Sequence, residues 1–329
     1  MPEVRFDVVG VGNAIVDVIA NVEDSFIETH GLNRASMTLI DEDRAHTLYE
    51  AMPPGIEASG GSAANTMAGL ASFGSRAAYI GKVRDDQLGE VFGHDMRAAG
   101  VHYVNIAAAE GPATARCLIQ VTPDAERTMN TFLGISALLE PGDIDEELVA
   151  SASVLYCEGY LWDVDVAKDA IRKAMDVAGG AGRTVALTLS DSFCVERHHA
   201  EWLELIGDKV DLLFANEDEI RCLYGTDDLD RIQTAMRGHV GIACITRGSR
   251  GSSILTADRI VHVPVEPVAH VVDTTGAGDL YASGFLHGFS RGLPLETCGT
   301  LASLAAAEVI AHLGARPAVS LERLAGERG

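Results

Sequence analysis

The stretch Val271 to Phe285, VVDTTGAGDLYASGF, sets the frame for the whole chain. Two valines lead into a polar turn, and a helix-like periodic segment follows. Gly276, Ala277 and Gly278 leave little side-chain bulk where that helix begins. Backbone N–H groups at such a start can point at a phosphate and stabilise its charge. Asp279 follows inside the same turn. A carboxylate beside an anion-binding nest is electrostatically awkward unless it has a task. The task that suits it is to take a proton from a hydroxyl as that hydroxyl attacks a phosphoryl group. The plain alternative is a first-turn carboxylate favoured by the helix dipole. GxxxxGK[ST] is absent, and GVGNAI at Gly10 to Ile15 lacks the last glycine of GxGxxG.

The same alternation of apolar run and helical segment recurs along the chain. Phe6 to Val11, Ala77 to Ile80, Val154 to Cys157, Thr184 to Leu189, Leu212 to Ala215 and Ile242 to Ile245 read as short buried strands. Ala58 to Ala71 reads as a tightly packed helix entered through Gly60 and Gly61. Leu88 to Ala99, Ala277 to Ser290 and Leu295 to Leu313 read as further helices. This rhythm predicts a doubly wound α/β core with a mostly parallel sheet. Two regions break it. Ala113 to Val121 and Thr128 to Leu133 flank Thr122-Pro123-Asp124-Ala125-Glu126 as a hairpin, and Val18 to Ile40 holds short strand candidates. They predict a small β-rich lid, formed by about residues 18–40 and 113–132, on one domain spanning 1–329. Ser253 to Leu255 and Ile260 to Val263 suggest another hairpin.

Composition narrows the partners. The 329 residues carry 25 Lys and Arg against 48 Asp and Glu, a formal net charge of −23. Such a balance argues against a nucleic-acid backbone or an anionic lipid surface as partner. It leaves room for a phosphate ligand held locally. The start, MPEVRFDVVGVGNAIVDVIA, is interrupted by Glu3, Arg5, Asp7 and Asp17, and it lacks the pattern of a secretory signal. The Leu301 to Leu313 segment is too short to span a bilayer. A cytoplasmic protein is expected. The six cysteines show no CxxC and the eleven histidines no HExxH, so a structural zinc site is not expected.

Four ordered motifs carry a resemblance. DTTGAGD at Asp273 to Asp279, Gly60-Gly61-Ser62-Ala63-Ala64-Asn65, NEDE at Asn216 to Glu219 and Thr246-Arg247-Gly248-Ser249-Arg250-Gly251 stand in that arrangement over nearly the whole chain. Together they resemble the PfkB, or ribokinase-like, family of carbohydrate and nucleoside kinases. The resemblance implies a three-layer α/β/α core and transfer of the ATP γ-phosphate to an alcohol. Asp279 would be the base, and Gly276, Ala277 and Gly278 the anion hole. Asn13, Asp17, Gly60, Gly61 and Asn65 would contact the acceptor, with Asp17 holding sugar hydroxyls. Asn216, Glu219, Thr246, Arg247, Gly248 and Gly251 would serve the nucleotide, with Glu219 reaching Mg²⁺ through water. Asp273 and Thr275 are candidate ligands for a K⁺-like ion, with a simple structural turn as the rival. Arg84 stands where family members often have glycine.

GNAIVD, GGSAANT and TPDAERTMNTFLG look most like the adenosine-kinase-like branch. The resemblance therefore implies adenosine or a related nucleoside as acceptor, with a free sugar such as ribose or fructose as the alternative. Phe132, Leu133, Met129, Leu138 and Met37 are the candidates for an apolar base site, or else for the lid's own core. Monomer and homodimer both stay open.

Overall fold

The computed structural model describes residues 3–104, 107–124 and 126–327; Met1, Pro2 and Ala125, read above, lie outside them. Thirteen strands form two sheets among the described residues. They are β1 (Phe6–Val11), β2 (Ile15–Asn21), β3 (Met37–Leu39), β4 (Ile56–Gly60), β5 (Ala77–Ile80), β6 (Ala115–Val121), β7 (Arg127–Phe132), β8 (Ala152–Glu158), β9 (Thr184–Thr188), β10 (Leu212–Asn216), β11 (Ile242–Thr246), β12 (Ser252–Thr256) and β13 (Ile260–Val263).

The large sheet has the order β13-β12-β11-β10-β9-β8-β1-β5. Its strands from β5 across to β11 run parallel, and the β12–β13 hairpin adds an antiparallel edge. Both faces are covered, which is why these strands read as apolar runs rather than alternating ones. Side-chain alternation splits each strand between two cores. Val9, Val11, Leu155, Cys157, Leu213 and Ala215 face the cluster around Trp162 and Trp202. Val8, Val154, Tyr156, Leu212 and Phe214 face the cluster around Met67, Phe92 and Phe285. The second cluster rests on the helices Ser62–Ser72, Gln87–Ala98, Ala277–Ser290 and Leu295–Val309. The result is the expected α/β fold with a mostly parallel core and a small β-rich lid.

The lid sheet has the order β3-β7-β6-β2-β4. One face presents Ile15, Asp17, Cys117 and Thr131 to a cavity. The other buries Val16, Val18 and Leu118 in one cluster with Leu48 of the helix Glu42–Ala51. Three elements differ from the sequence reading. Ala58 to Ala71 divides into β4 and the helix Ser62–Ser72, because Gly61 turns the chain with φ of +94°. A side chain there would put its Cβ 2.3 Å from the Asn13 carbonyl oxygen, so glycine permits the turn. The helix that begins at Leu295 ends at Val309 rather than Leu313, and the carbonyl of Ile310 accepts from Val272 and so ties that end to the turn before Asp279. The first lid strand starts at Ile15, and β4 joins the lid as an edge strand. Arg84 does not point free into solvent: its guanidinium donates to the Ala108 carbonyl at 3.1 Å.

Candidate active site

The parallel strands end together. Asn13 after β1, Glu158 of β8, Thr188 of β9, Asn216 of β10 and Thr246 of β11 all line one cavity of about 600 Å³. In doubly wound sheets the carboxyl ends of the strands leave such a crevice open, while helices cover both faces. The lid contributes Ile15, Asp17, Met37, Leu39, Cys117, Thr131 and Leu133 to the same cavity. Thr274 to Asp279 form its floor, joined by Ala315.

At that floor Gly276 caps the helix Ala277–Ser290 with φ of +78°. A Cβ at this position would stand 2.7 Å from the Ala315 Cβ, so both conformation and space call for glycine. The Ala277 N–H turns back to the Thr274 carbonyl at 3.2 Å. The following N–H groups, of Gly278 and Asp279, belong to the first turn, where a helix offers its donors no acceptor of its own. The expected nest is thus narrower than three donors, because Ala277 is occupied. Asp279 accepts from Ser62 Oγ at 2.6 Å and from Asn65 Nδ2 at 3.0 Å, and Thr66 Oγ1 donates to its main-chain oxygen at 3.2 Å. Enclosure in the cavity raises its pKa, while those two side-chain bonds and the Arg316 charge pull it back down. A carboxylate so placed can accept a proton beside a site where N–H groups stabilise transferred negative charge.

On the lid side, Asp17 is held up at about 6 by enclosure, against the pull of Arg316 and Arg127. Gly60 does not line the cavity; it packs against Asp17, and a Cβ would meet Oδ2 at 2.5 Å. Its role is therefore to leave room for that carboxylate. Asn13 does line the cavity, with its amide anchored at both ends: Nδ2 donates to Glu158 Oε1 at 2.7 Å, and Oδ1 accepts from Ser136 at 2.9 Å. Gly61 and Asn65 also face the cavity. Phe132 does not. It lies opposite Arg116, one residue along from the cavity-facing pair Cys117 and Thr131, so the period of two turns its ring to the back of the lid. There it lies beneath the Arg116 guanidinium. Met37 and Leu133 line the cavity, and Met129 packs with Cys117, Ile119 and Val121 on the same face of the sheet.

Asn216 caps the helix Glu217–Tyr224: its side chain accepts from the N–H groups of Asp218 and Glu219. Glu219 answers by accepting from Asn216 N at 2.9 Å and Nδ2 at 2.7 Å. Burial still raises Glu219 to about 7. No group of three or more His, Cys, Asp or Glu side chains among the described residues is gathered to hold a metal. Glu219 lines the cavity, but each of its carboxylate oxygens is already engaged by Asn216, so any approach to a magnesium ion would run through water. Thr246 lines the cavity, whereas Arg247, Gly248 and Gly251 lie outside its wall. Arg247 pairs with Glu217 at 3.1 Å and shares that carboxylate with Arg250, which turns it away from the cavity without fully matching its charge. Gly251, with φ of +81°, serves the turn into β12.

The Asp273 side chain is already engaged in this arrangement. Asp273 Oδ1 accepts from Thr275 N and Oδ2 from Gly314 N, each at 3.0 Å. The Arg127 guanidinium also sits 2.9 Å from Oδ2, and the pair is almost fully buried. The Arg127 guanidinium thus supplies a counter-charge to the buried carboxylate.

Four participants escaped the sequence reading: Ser62, Glu158, Arg127 and Arg316. Glu158 accepts from Asn13 N, Asn13 Nδ2 and Ala63 N, which makes it the peg between β1 and the helix Ser62–Ser72. Burial nonetheless raises it to about 7. Its one local signal is a carboxylate at the carboxyl end of a parallel strand.

The family described as pfkB family carbohydrate kinase matches residues 55–321. The chain is 50% identical to the solved adenosine kinase of Sinorhizobium meliloti, with a TM-score of 0.90, over 99% of this chain and 100% of that one. It is 48% identical to a probable sugar kinase of Rhizobium etli CFN 42, with a TM-score of 0.91, over 99% of each chain. Among curated proteins, a probable fructokinase-4 of Arabidopsis thaliana is 30% identical over 71% of this chain and 74% of that one. The chain belongs to the pfkB family of carbohydrate kinases, which carry out ATP-dependent phosphotransfer to a sugar or nucleoside hydroxyl.

Proposed function

We propose that the acceptor is adenosine or a related nucleoside, phosphorylated at its 5′-hydroxyl. One observation carries this reading. Met37 and Leu39 of the lid strand β3 are 47% and 58% exposed, and both line the cavity beside Asp17. Exposed apolar side chains around a polar centre fit a ligand with a flat apolar part and a hydroxylated part. A nucleoside has both: its ribose hydroxyls suit Asp17, and its base suits the Met37, Leu39 and Leu133 wall. A 50% identical protein bearing the name adenosine kinase supports the same reading.

In this account Asp17 accepts hydrogen bonds from two sugar hydroxyls and fixes the acceptor. Asp279 takes the proton of the attacking hydroxyl. The N–H groups of Gly278 and Asp279 stabilise the phosphoryl oxygens as charge develops. Glu219 faces the nucleotide end, where Mg²⁺ bound with ATP offsets phosphate charge. Closing the lid sheet over the cavity excludes water, the competing acceptor.

A free sugar is the second reading, favoured by the sugar-kinase and fructokinase names among the relatives and by the absence of Phe132 from the cavity wall. Thermal unfolding with adenosine, ribose or fructose, each tested separately, separates the two. Adenosine at saturation is expected to raise the midpoint by several degrees, since a ligand that binds only the folded state stabilises it. A shift with ribose or fructose and none with adenosine would overturn the nucleoside reading.

A further inference from the structure

Beneath the floor of the cavity lies the Arg316 guanidinium. Arg316 follows Ala315 in the loop after the helix Leu295–Val309, and Pro317 stiffens the backbone beyond it. Its Nε donates to Asn65 Oδ1 at 2.8 Å and its Nη2 to Ser59 Oγ at 3.1 Å, with Met96 Sδ 3.5 Å away. All of these partners are neutral. Asn65 in turn donates Nδ2 to Asp279 Oδ2 at 3.0 Å. A carboxamide has one oxygen end and one nitrogen end. By taking the oxygen, the guanidinium decides which end meets Asp279. The flipped amide would turn its oxygen on the carboxylate and its nitrogen on the guanidinium, and both contacts would be repulsive.

We infer that Arg316 is a positioning residue for phosphotransfer: it locks the Asn65 amide nitrogen onto Asp279 and supplies positive charge to the otherwise acidic pair Asp279 and Asp17. The inference rests on Asp279 being the proton acceptor. It goes beyond the motif residues, since Arg316 acts through Asn65 and from a segment outside all four motifs.

The surrounding charges make this cation matter. Asp279 is faced by Asp17 from β2, Glu158 and Tyr156 from β8, Tyr160 just after it, and Arg316. The other groups named are anionic or become so on ionising, so Arg316 is the cation that counters them at Asp279. Arg316 itself faces Asp17, Asp95, Tyr79 and Asp279. Enclosure lowers it only to about 10, and it therefore remains charged near neutrality. Without it, Asp279 holds its proton to higher pH, and a protonated carboxylic acid cannot serve as base.

The test is the pH profile of kcat/KM for purified Arg316→Met, Arg316→Lys and Asp279→Asn, with ATP and whichever of adenosine, ribose or fructose the native enzyme accepts. Arg316→Met is expected to lose roughly ten- to a hundredfold in kcat at neutral pH, with little change in KM for ATP. Its acid limb is expected to move up by about one pH unit. Arg316→Lys keeps the charge but not the planar fork, so its limb is expected to stay in place while kcat falls. An unmoved limb in Arg316→Met, or full activity, would overturn the proposal. Where Arg316→Met does not fold, Arg316→Lys decides: native kcat, or a limb displaced from the native one, would overturn it. Asp279→Asn separates the two levels. If it turns over normally, the base assignment itself fails. If it is inactive while the Arg316→Met limb stays put, only the Arg316 role fails.

Discussion

Two pulls meet on Asp279. The cavity around it favours the protonated form, while Ser62, Asn65 and Arg316 favour the carboxylate. A base must be ionised before it can act, so these three neighbours are as much part of the chemistry as the aspartate. Asp279→Asn keeps the shape and removes the base. Turnover is expected to fall by about 10²–10⁴-fold while ATP binding, read by calorimetry, is retained. Unchanged turnover would remove Asp279 from its role. Asp279 was legible in the sequence because glycines and an acid share one helix start, a local pattern. Arg316 was not, because nothing within the sequence near Gly314-Ala315-Arg316-Pro317 announces that it will meet Asn65, 251 residues earlier. Glu158 was missed for the same reason: its three donors come from β1's end and a helix start far along the chain.

At the scale of elements, strand ends and helix starts do the positioning. The strands of the large sheet were legible as apolar runs because both of their faces are buried. The lid was legible only in part. Its hairpin showed through the turn residues, but which face of β7 meets the cavity depends on register, and a shift of one residue exchanges Thr131 for Phe132. The residue reading therefore chose Phe132, and pairing chose its neighbour. The turn at Gly276 is a tight joint between the floor loop and its helix. Gly276→Ala would add a side chain at positive φ and press it against Ala315. A loss of about 1–3 kcal/mol in unfolding free energy is expected, together with a larger fall in kcat than in ATP affinity. Denaturant titration and steady-state kinetics check both, and a variant of native stability would contradict the geometry.

For the whole molecule, the −23 net charge means that anion binding is a local achievement within an acidic envelope. The site adds to that strain. Burial raises Glu158 and Glu219 to about 7 and Asp17 to about 6. In all three the folded-state value lies above the ordinary one, so the folded protein keeps protons that the unfolded chain has released. Their contribution is greatest below the ordinary carboxylate range and is lost as pH rises through about 6 to 7. Ion-paired Asp7, Asp124, Asp163 and Glu201 are lowered and act in the opposite direction, but at lower pH. The ligand-free protein is therefore expected to unfold at a lower temperature at pH 8 than at pH 6, a gap that added salt narrows little because its cause is burial. A midpoint that rises across this range would contradict the buried-carboxylate picture. The composition made the acidic envelope legible, but which carboxylates lie inside the cavity required the fold. The central claim, phosphorylation of a nucleoside, is tested most directly by initial rates of ADP release from ATP with adenosine, ribose and fructose as acceptors. A kcat/KM for adenosine at least about tenfold above that for either sugar is expected; a higher value for ribose or fructose would exclude the nucleoside as the preferred acceptor.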